Sequence, residues 1–237
     1  MDTLKRKIEM HCHTSETSPC GSIPAAEAVR EYARIGYGGI VVTDHFNRYV
    51  LEGFPGSPRE RVDRYLRGYD RACEEGAKAG LTVLLGAESC LAGGPEDFLL
   101  YGIGRDFLYE YPRLYAMTQA EVYRACREYG ALLFQAHPCR SGLSPRDPSL
   151  LDGVEAYNGN VRHQNHNAQA AAFARRHRLL LSSGSDFHEY EDLGRGGLLL
   201  PCPVSSNAEL RAALRNGGYA LIEDGQPAGE APPARPQ

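Results

Sequence analysis

Short β-branched or aliphatic runs alternate with helical stretches along most of this 237-residue chain. The runs fall at 7–14, 39–43, 81–88, 97–103, 131–137, 153–158 and 179–186, with helical patterns at 24–35, about 58–79, 121–129, about 163–177 and 207–215. Strands joined through helices lie parallel with right-handed crossovers. Six or seven such units predict a single α/β domain built as a closed or nearly closed TIM-like barrel, and its chemistry belongs at the C-terminal ends of the strands.

Those ends carry one class of side chain. The first run finishes on His11-Cys12-His13, where an extended backbone turns His11 and His13 to one face. Asp44-His45, Glu88, His137 and Asp186-Phe187-His188 close later runs. Imidazole and carboxylate donors suit Zn2+, Mn2+ or Fe2+, and there are more of them than one tetrahedral ion needs. Two or three divalent ions are therefore expected, a cluster suited to clamping a phosphate ester and lowering the pKa of a bound water.

Composition narrows the partners. The apolar fraction is 42% and no apolar run approaches the ~20 residues a bilayer requires, so no membrane partner is expected. A net charge of −4 argues against a broad nucleic-acid-binding face. No apolar h-region precedes the first strand, which predicts a cytoplasmic protein. Seven scattered cysteines without a C-x-x-C pair read as free thiols. Residues 1–223 read as the folded domain, and 224–237, rich in Pro, Ala and Gly, as a disordered tail.

His11-Cys12-His13-Thr14, Thr43-Asp44-His45, Gly86-Ala87-Glu88, Ala136-His137-Pro138 and Gly184-Ser185-Asp186-Phe187-His188 resemble, in order, the motifs of the PHP (polymerase and histidinol phosphatase) domain family. The resemblance covers about residues 7 to 200. It implies a distorted (βα)7 barrel in which His11, His13, Glu88 and Asp186 hold one ion. Glu88 would bridge to a second ion bound by His137, while His45 and His188 serve a third. Asp44 would orient His45 or a metal water.

Two departures from the family pattern stand out. The loop after the first motif reads Ser15-Glu16-Thr17-Ser18-Pro19-Cys20, so Glu16 is the expected ligand for the third ion, with Cys20 a softer alternative. No histidine lies between Glu88 and His137, so either Asp97 fills that place or the second site is weak.

The resemblance implies a stand-alone metal-dependent phosphoesterase that hydrolyses small phosphate esters, such as histidinol phosphate or nucleotide phosphates, through a metal-bound hydroxide. Arg140 and Arg195 are the expected phosphate-binding residues, and Asn158 and His163 the polar substrate contacts. His188 or a metal-bound water would protonate the leaving alcohol. The loop at 46–57 is a candidate lid, and Tyr49, Tyr101 and Tyr157 are candidate stacking surfaces. Alternatives are a 3′–5′ exonuclease or oligonucleotide phosphodiesterase, a non-catalytic metal- or phosphate-binding regulator, and an amidohydrolase. The lysine-bridged form of the last is excluded, since the chain has no Lys after Lys78.

Overall fold

The structure, a computed structural model, describes residues 6–230. The chain begins with β1 (Lys7–Cys12), α1 (Ala25–Arg34) and β2 (Gly39–Val42), followed by three helices, α2 (Arg48–Gly53), α3 (Pro58–Tyr65) and α4 (Arg67–Ala79). Three strands come next, β3 (Thr82–Leu85), β4 (Ala87–Cys90) and β5 (Asp97–Tyr101), then α5 (Arg105–Glu110) and α6 (Gln119–Tyr129). The remainder runs β6 (Leu132–Gln135), β7 (Gly153–Asn158), α7 (Asn167–His177), β8 (Leu180–Gly184), β9 (Gly196–Leu199), α8 (Asn207–Asn216), β10 (Ala220–Glu223) and β11 (Gln226–Glu230).

These strands form two mixed sheets, ordered β11-β10-β9-β1-β2-β3 and β4-β5-β6-β7-β8. The expected count of seven parallel βα units is not what forms. Parallel pairing is confined to β1-β2-β3 and β6-β7-β8, while β4-β5, β5-β6, β1-β9, β9-β10 and β10-β11 are antiparallel. The reason is local: no helix separates Cys90 from Asp97, so β5 doubles back on β4 instead of crossing over. The expected strand over 81–88 breaks at Gly86, where a Cβ would stand 2.9 Å from both Thr43 Cγ2 and Val41 Cγ1. Bridges from Cys12 to Phe187 and from His45 to Glu88 join the two sheets at the strand ends.

Two further expectations change. The single helix over 58–79 is interrupted at Leu66. Thr17 Oγ1 donates to Tyr65 O at 2.9 Å and accepts from Gly68 N at 3.3 Å, so a loop side chain enters the helical ladder. The stretch 46–57 contains α2, which is capped by Asn47 accepting from Val50 N and buries Val50 and Leu51. It is packed on the core rather than left free as a lid. The disordered tail expected from Asp224 instead forms β11, paired with β10, and residues 231–237 lie outside the described residues.

Apolar side chains gather in two clusters. The larger holds Met10, Phe46, Leu99, Tyr101, Phe107, Leu132 and Phe134, while Ala25, Ala28, Val29 and Tyr32 of α1 pack into the smaller with Ile40, Val42 and Phe187. Each fully buried Leu or Phe contributes about 1.5–3 kcal/mol, which makes the strands a rigid platform for their ends. Among the described residues no helix is long and apolar enough to cross a membrane.

Candidate metal centre

β1 brings His11 and His13 to one face, and both are fully buried. His11 Nε2 lies 3.1 Å from His13 Nε2, 3.3 Å from Glu88 Oε1 and 3.4 Å from Asp186 Oδ1. His13 Nε2 lies 3.4 Å from Glu88 Oε2 and 3.5 Å from Asp186 Oδ1. Donor atoms held ~2.0–2.1 Å from one tetrahedral ion are ~3.3 Å from each other, so these spacings are those of a ligand set. Glu88 also reaches His137 Nε2 at 3.1 Å and His45 Nδ1 at 2.9 Å. The His45 contact is an ion pair without hydrogen-bond geometry.

Three groups have donor atoms within 4.8 Å of one another: His11, His13 and Glu88; Glu88, Asp97 and His137; His13, His45 and His188. The residues fit divalent ions, because a buried set of imidazoles and carboxylates this dense is costly without a cation at its centre. Asp97, rather than another histidine, completes the second group.

The electrostatics match. Burial works against the charged form of Glu88, but His11 and His45 outweigh it and hold the carboxyl well below the usual range. Asp186 is likewise held low against burial, by His11, His13, His188 and Arg140. Burial lowers the pKa of His11, yet Asp186, Glu155 and Glu88 carry it well above the ordinary imidazole value. Burial and the nearby charge of Glu88 push Asp97 up to about 6.

Outside the ligands, a polar layer orients them. Glu155 on β7 accepts from His11 Nδ1 through Oε1 at 2.9 Å, and through Oε2 from His137 N and Asn158 Nδ2, both at 2.9 Å. Glu9 Oε1 accepts from His11 N and Ser185 N, tying β1 to the end of β8. His137 and Asp186 have positive φ, at 27° and 51°, a strained backbone at two strand ends that such bonds secure. Both glutamates were missed in the sequence; the available signal was a charged residue inside an otherwise apolar strand.

The expected site residues divide. His11, His13, His45, Glu88, His137, Asp186 and His188 converge, with Asp97 beside them. Glu16 does not. It is exposed, and its Oε2 accepts from Ala25 N at 2.9 Å, capping α1 where Pro24 offers no side-chain bond. Cys20 stands at the cleft instead. Burial raises the pKa of its thiol, but hydrogen bonds with His188 and His45 and the charge of His13 bring it down to about 5.

Asp44 is buried and accepts from Thr14 N, Thr14 Oγ1 and Ser18 Oγ at 2.6–2.7 Å. Ser18 Oγ contacts His13 Nδ1 at 3.2 Å and accepts from His45 N at 3.0 Å. Asp44 thus positions both histidines through Ser18 and does not line the cleft.

Arg140 donates to Asp186 Oδ2 at 2.6 Å, to Asn158 Oδ1 at 3.2 Å and to Asn165 Oδ1 at 2.7 Å. It lines the cleft with the exposed His163, whereas Asn158 lies behind it as a support. Arg195 is placed elsewhere, donating to Gly159 O and pairing with Asp224. None of the three tyrosines lines the cleft: Tyr49 is 79% exposed on α2, Tyr101 is buried and donates to Met10 O, and Tyr157 accepts from Asp224 N. Asn160, Arg162 and Glu189, not anticipated, complete the lining of a cleft of about 280 Å3.

Comparison with known proteins agrees with this geometry. Residues 9–182 match the PHP domain and residues 164–219 the PHP-associated region. No curated protein sequence matches. Among solved structures, the chain is similar to a two-domain protein from Bacteroides vulgatus that contains a predicted PHP-like metal-dependent phosphoesterase. The identity is 19% and the TM-score 0.66, over 94% of this chain and 66% of that one. The chain therefore spans just under two thirds of that protein. PsfC from Pseudomonas syringae is similar at 15% identity and a TM-score of 0.64, over 93% of this chain and 92% of that one. The lesion-specific endonuclease PfuEndoQ from Pyrococcus furiosus is similar at 16% identity and a TM-score of 0.56, over 91% of this chain and 57% of that one. At these identities the likeness is one of fold.

Proposed function

Since the chain belongs to the PHP domain family, we propose that it is a metal-dependent phosphoesterase acting on small phosphate esters. The observation that carries the reading is the set of five ~3.3 Å spacings among His11, His13, Glu88 and Asp186, with Arg140 bound to the outer oxygen of Asp186.

Divalent ions held there supply Lewis-acid polarisation of the phosphoryl group and an activated water. Glu88 and Asp186, kept in their ionised form, would hold the ions, His11 is fixed by Glu155, and Arg140, whose Nε and Nη2 are engaged by Asn165, Asn158 and Asp186, has Nη1 left for a phosphate oxygen. His163 lines the same cleft and would face the leaving group, while Arg162, also in the lining, is paired with Glu191 and Asp192. His188 Nδ1 is used by Asp186 O at 2.7 Å, so Nε2 is the nitrogen left for an ion, and His188 acts as a ligand rather than as the proton donor.

A cleft of about 280 Å3 lies just below the usual range for organic ligands. That size favours a phosphomonoester over a duplex end. The endonuclease that shares the fold keeps short nucleic acid within the test. The experiment is elemental analysis of the purified chain, combined with phosphate release from small phosphomonoesters and end-phosphorylated oligonucleotides, with and without chelator. Two or three metal equivalents and chelator-sensitive release from the small esters are expected. Release only from oligonucleotides would move the assignment to an exonuclease, and bound metal or phosphate without turnover would mark a regulator.

A further inference from the structure

With His188 Nδ1 turned to Asp186 O, the departing oxygen of an ester needs another source for its proton. Of the four histidines that line the cleft, His45, His137 and His188 belong to the groups that could hold ions, and His163 belongs to none. Its ring makes no hydrogen bond to another described residue.

His163 is exposed, yet the chain on either side of it is fixed. Asn160 Oδ1 accepts from Arg162 N at 3.0 Å, and Ser141 N donates to Gln164 O at 3.0 Å. Asn165 Nδ2 donates to Asn160 O at 2.9 Å, which draws the ends of the turn together. Arg162 pairs with Glu191 and Asp192, and Asn165 Oδ1 accepts from Arg140 Nε at 2.7 Å. The loop between β7 and α7 thus presents His163 at the cleft while anchored to Arg140 and Ser141.

Building on the reading of the cleft as a phosphoesterase site, we infer that His163 is the catalytic acid, an imidazolium that donates its proton to the leaving oxygen. As the bond from phosphorus to that oxygen breaks, the electron pair stays on the oxygen and takes the His163 proton, giving the free alcohol and a neutral ring. A water oxygen, its own proton released to solvent, forms the new bond to phosphorus. Because His163 is exposed, its ring regains a proton from solvent between turnovers. Burial and the charges of Arg140, His137 and Arg162 lower its pKa in the free protein, against Asp186, which raises it. A bound phosphate dianion counters those cations and favours the charged ring once the ester is in place.

The test compares the full metal-loaded chain with His163→Gln and His163→Asn on benzyl phosphate and 4-nitrophenyl phosphate. The two esters are close in size, but the benzyl alkoxide needs a proton to leave and the nitrophenolate does not. Both variants should lose about 10²–10⁴-fold in kcat/KM on benzyl phosphate and far less on 4-nitrophenyl phosphate, with metal content unchanged. The ratio of the two rates within one variant is independent of how much of the protein is folded. An equal loss on both esters, or no loss on either, would overturn the inference and leave the phosphoesterase reading standing. Release from neither ester by the wild type would overturn both.

Discussion

His11 Nδ1 and Glu155 Oε1 are 2.9 Å apart, and both side chains are fully buried. The bond joins β1 to β7 and fixes the His11 tautomer, so that Nε2 turns toward Glu88 and Asp186. Because Glu155 also accepts from His137 N, one carboxylate orients ligands of two metal groups.

Glu155→Gln keeps the shape but removes the charge that raises the basicity of His11. Metal affinity should fall about 10–100-fold, measured by competition with a chromophoric chelator. Unchanged affinity would show that Glu155 only fills space.

Metal removal should be felt in stability as well as in rate. Ions bound to the folded state at 1,000 times their Kd contribute about 4 kcal/mol, equivalent to roughly 10 °C in Tm for a chain of this size. Calorimetry with and without chelator should show that drop, reversed by adding metal back. Identical curves would mean that the buried histidines and carboxylates stand without ions.

Arg140→Ala should lower kcat/KM by on the order of 10²–10³, the usual loss for one donor to a developing oxyanion, with the metal count unchanged. Arg140→Lys should recover little, because one ammonium cannot serve Asp186, Asn158 and Asn165 together in the planar geometry the guanidinium uses. Full activity in the Lys variant would reduce Arg140 to a point charge.

Glu16→Ala separates the two roles considered for that residue. Loss of the cap on Ala25 N should destabilise the protein by about 0.5–2 kcal/mol while metal content and turnover stay at the wild-type level. Loss of one metal equivalent would restore Glu16 as a ligand.

Much of the centre was legible in the chain because strand-end positions and donor chemistry are local properties. His11, His13, His45, Glu88, His137, Asp186 and His188 each close an aliphatic run or stand within two residues of its end, and a strand end in an α/β fold is where a site forms. Glu9 and Glu155 escaped because a carboxylate inside a strand is read as a packing anomaly until its partners across the sheet are known. Arg195 was misassigned because proximity in sequence to Asp186 says nothing of direction: it turns to Gly159 O and Asp224 instead.

The alternation of the longer strands with α1, α6, α7 and α8, and the identity of the donors, follow from periodicity and residue type and needed only the amino-acid sequence, whereas α2, α5, β9 and β11 were not read from it. The split into two mixed sheets, the turn of Glu16 away from the cleft and the presence of Cys20 in it were decided by tertiary contacts. Each depends on pairings between residues far apart in the chain or on where a loop is anchored. Periodicity carries no information about either, because the free energy of such contacts exists only once the distant partner is in place.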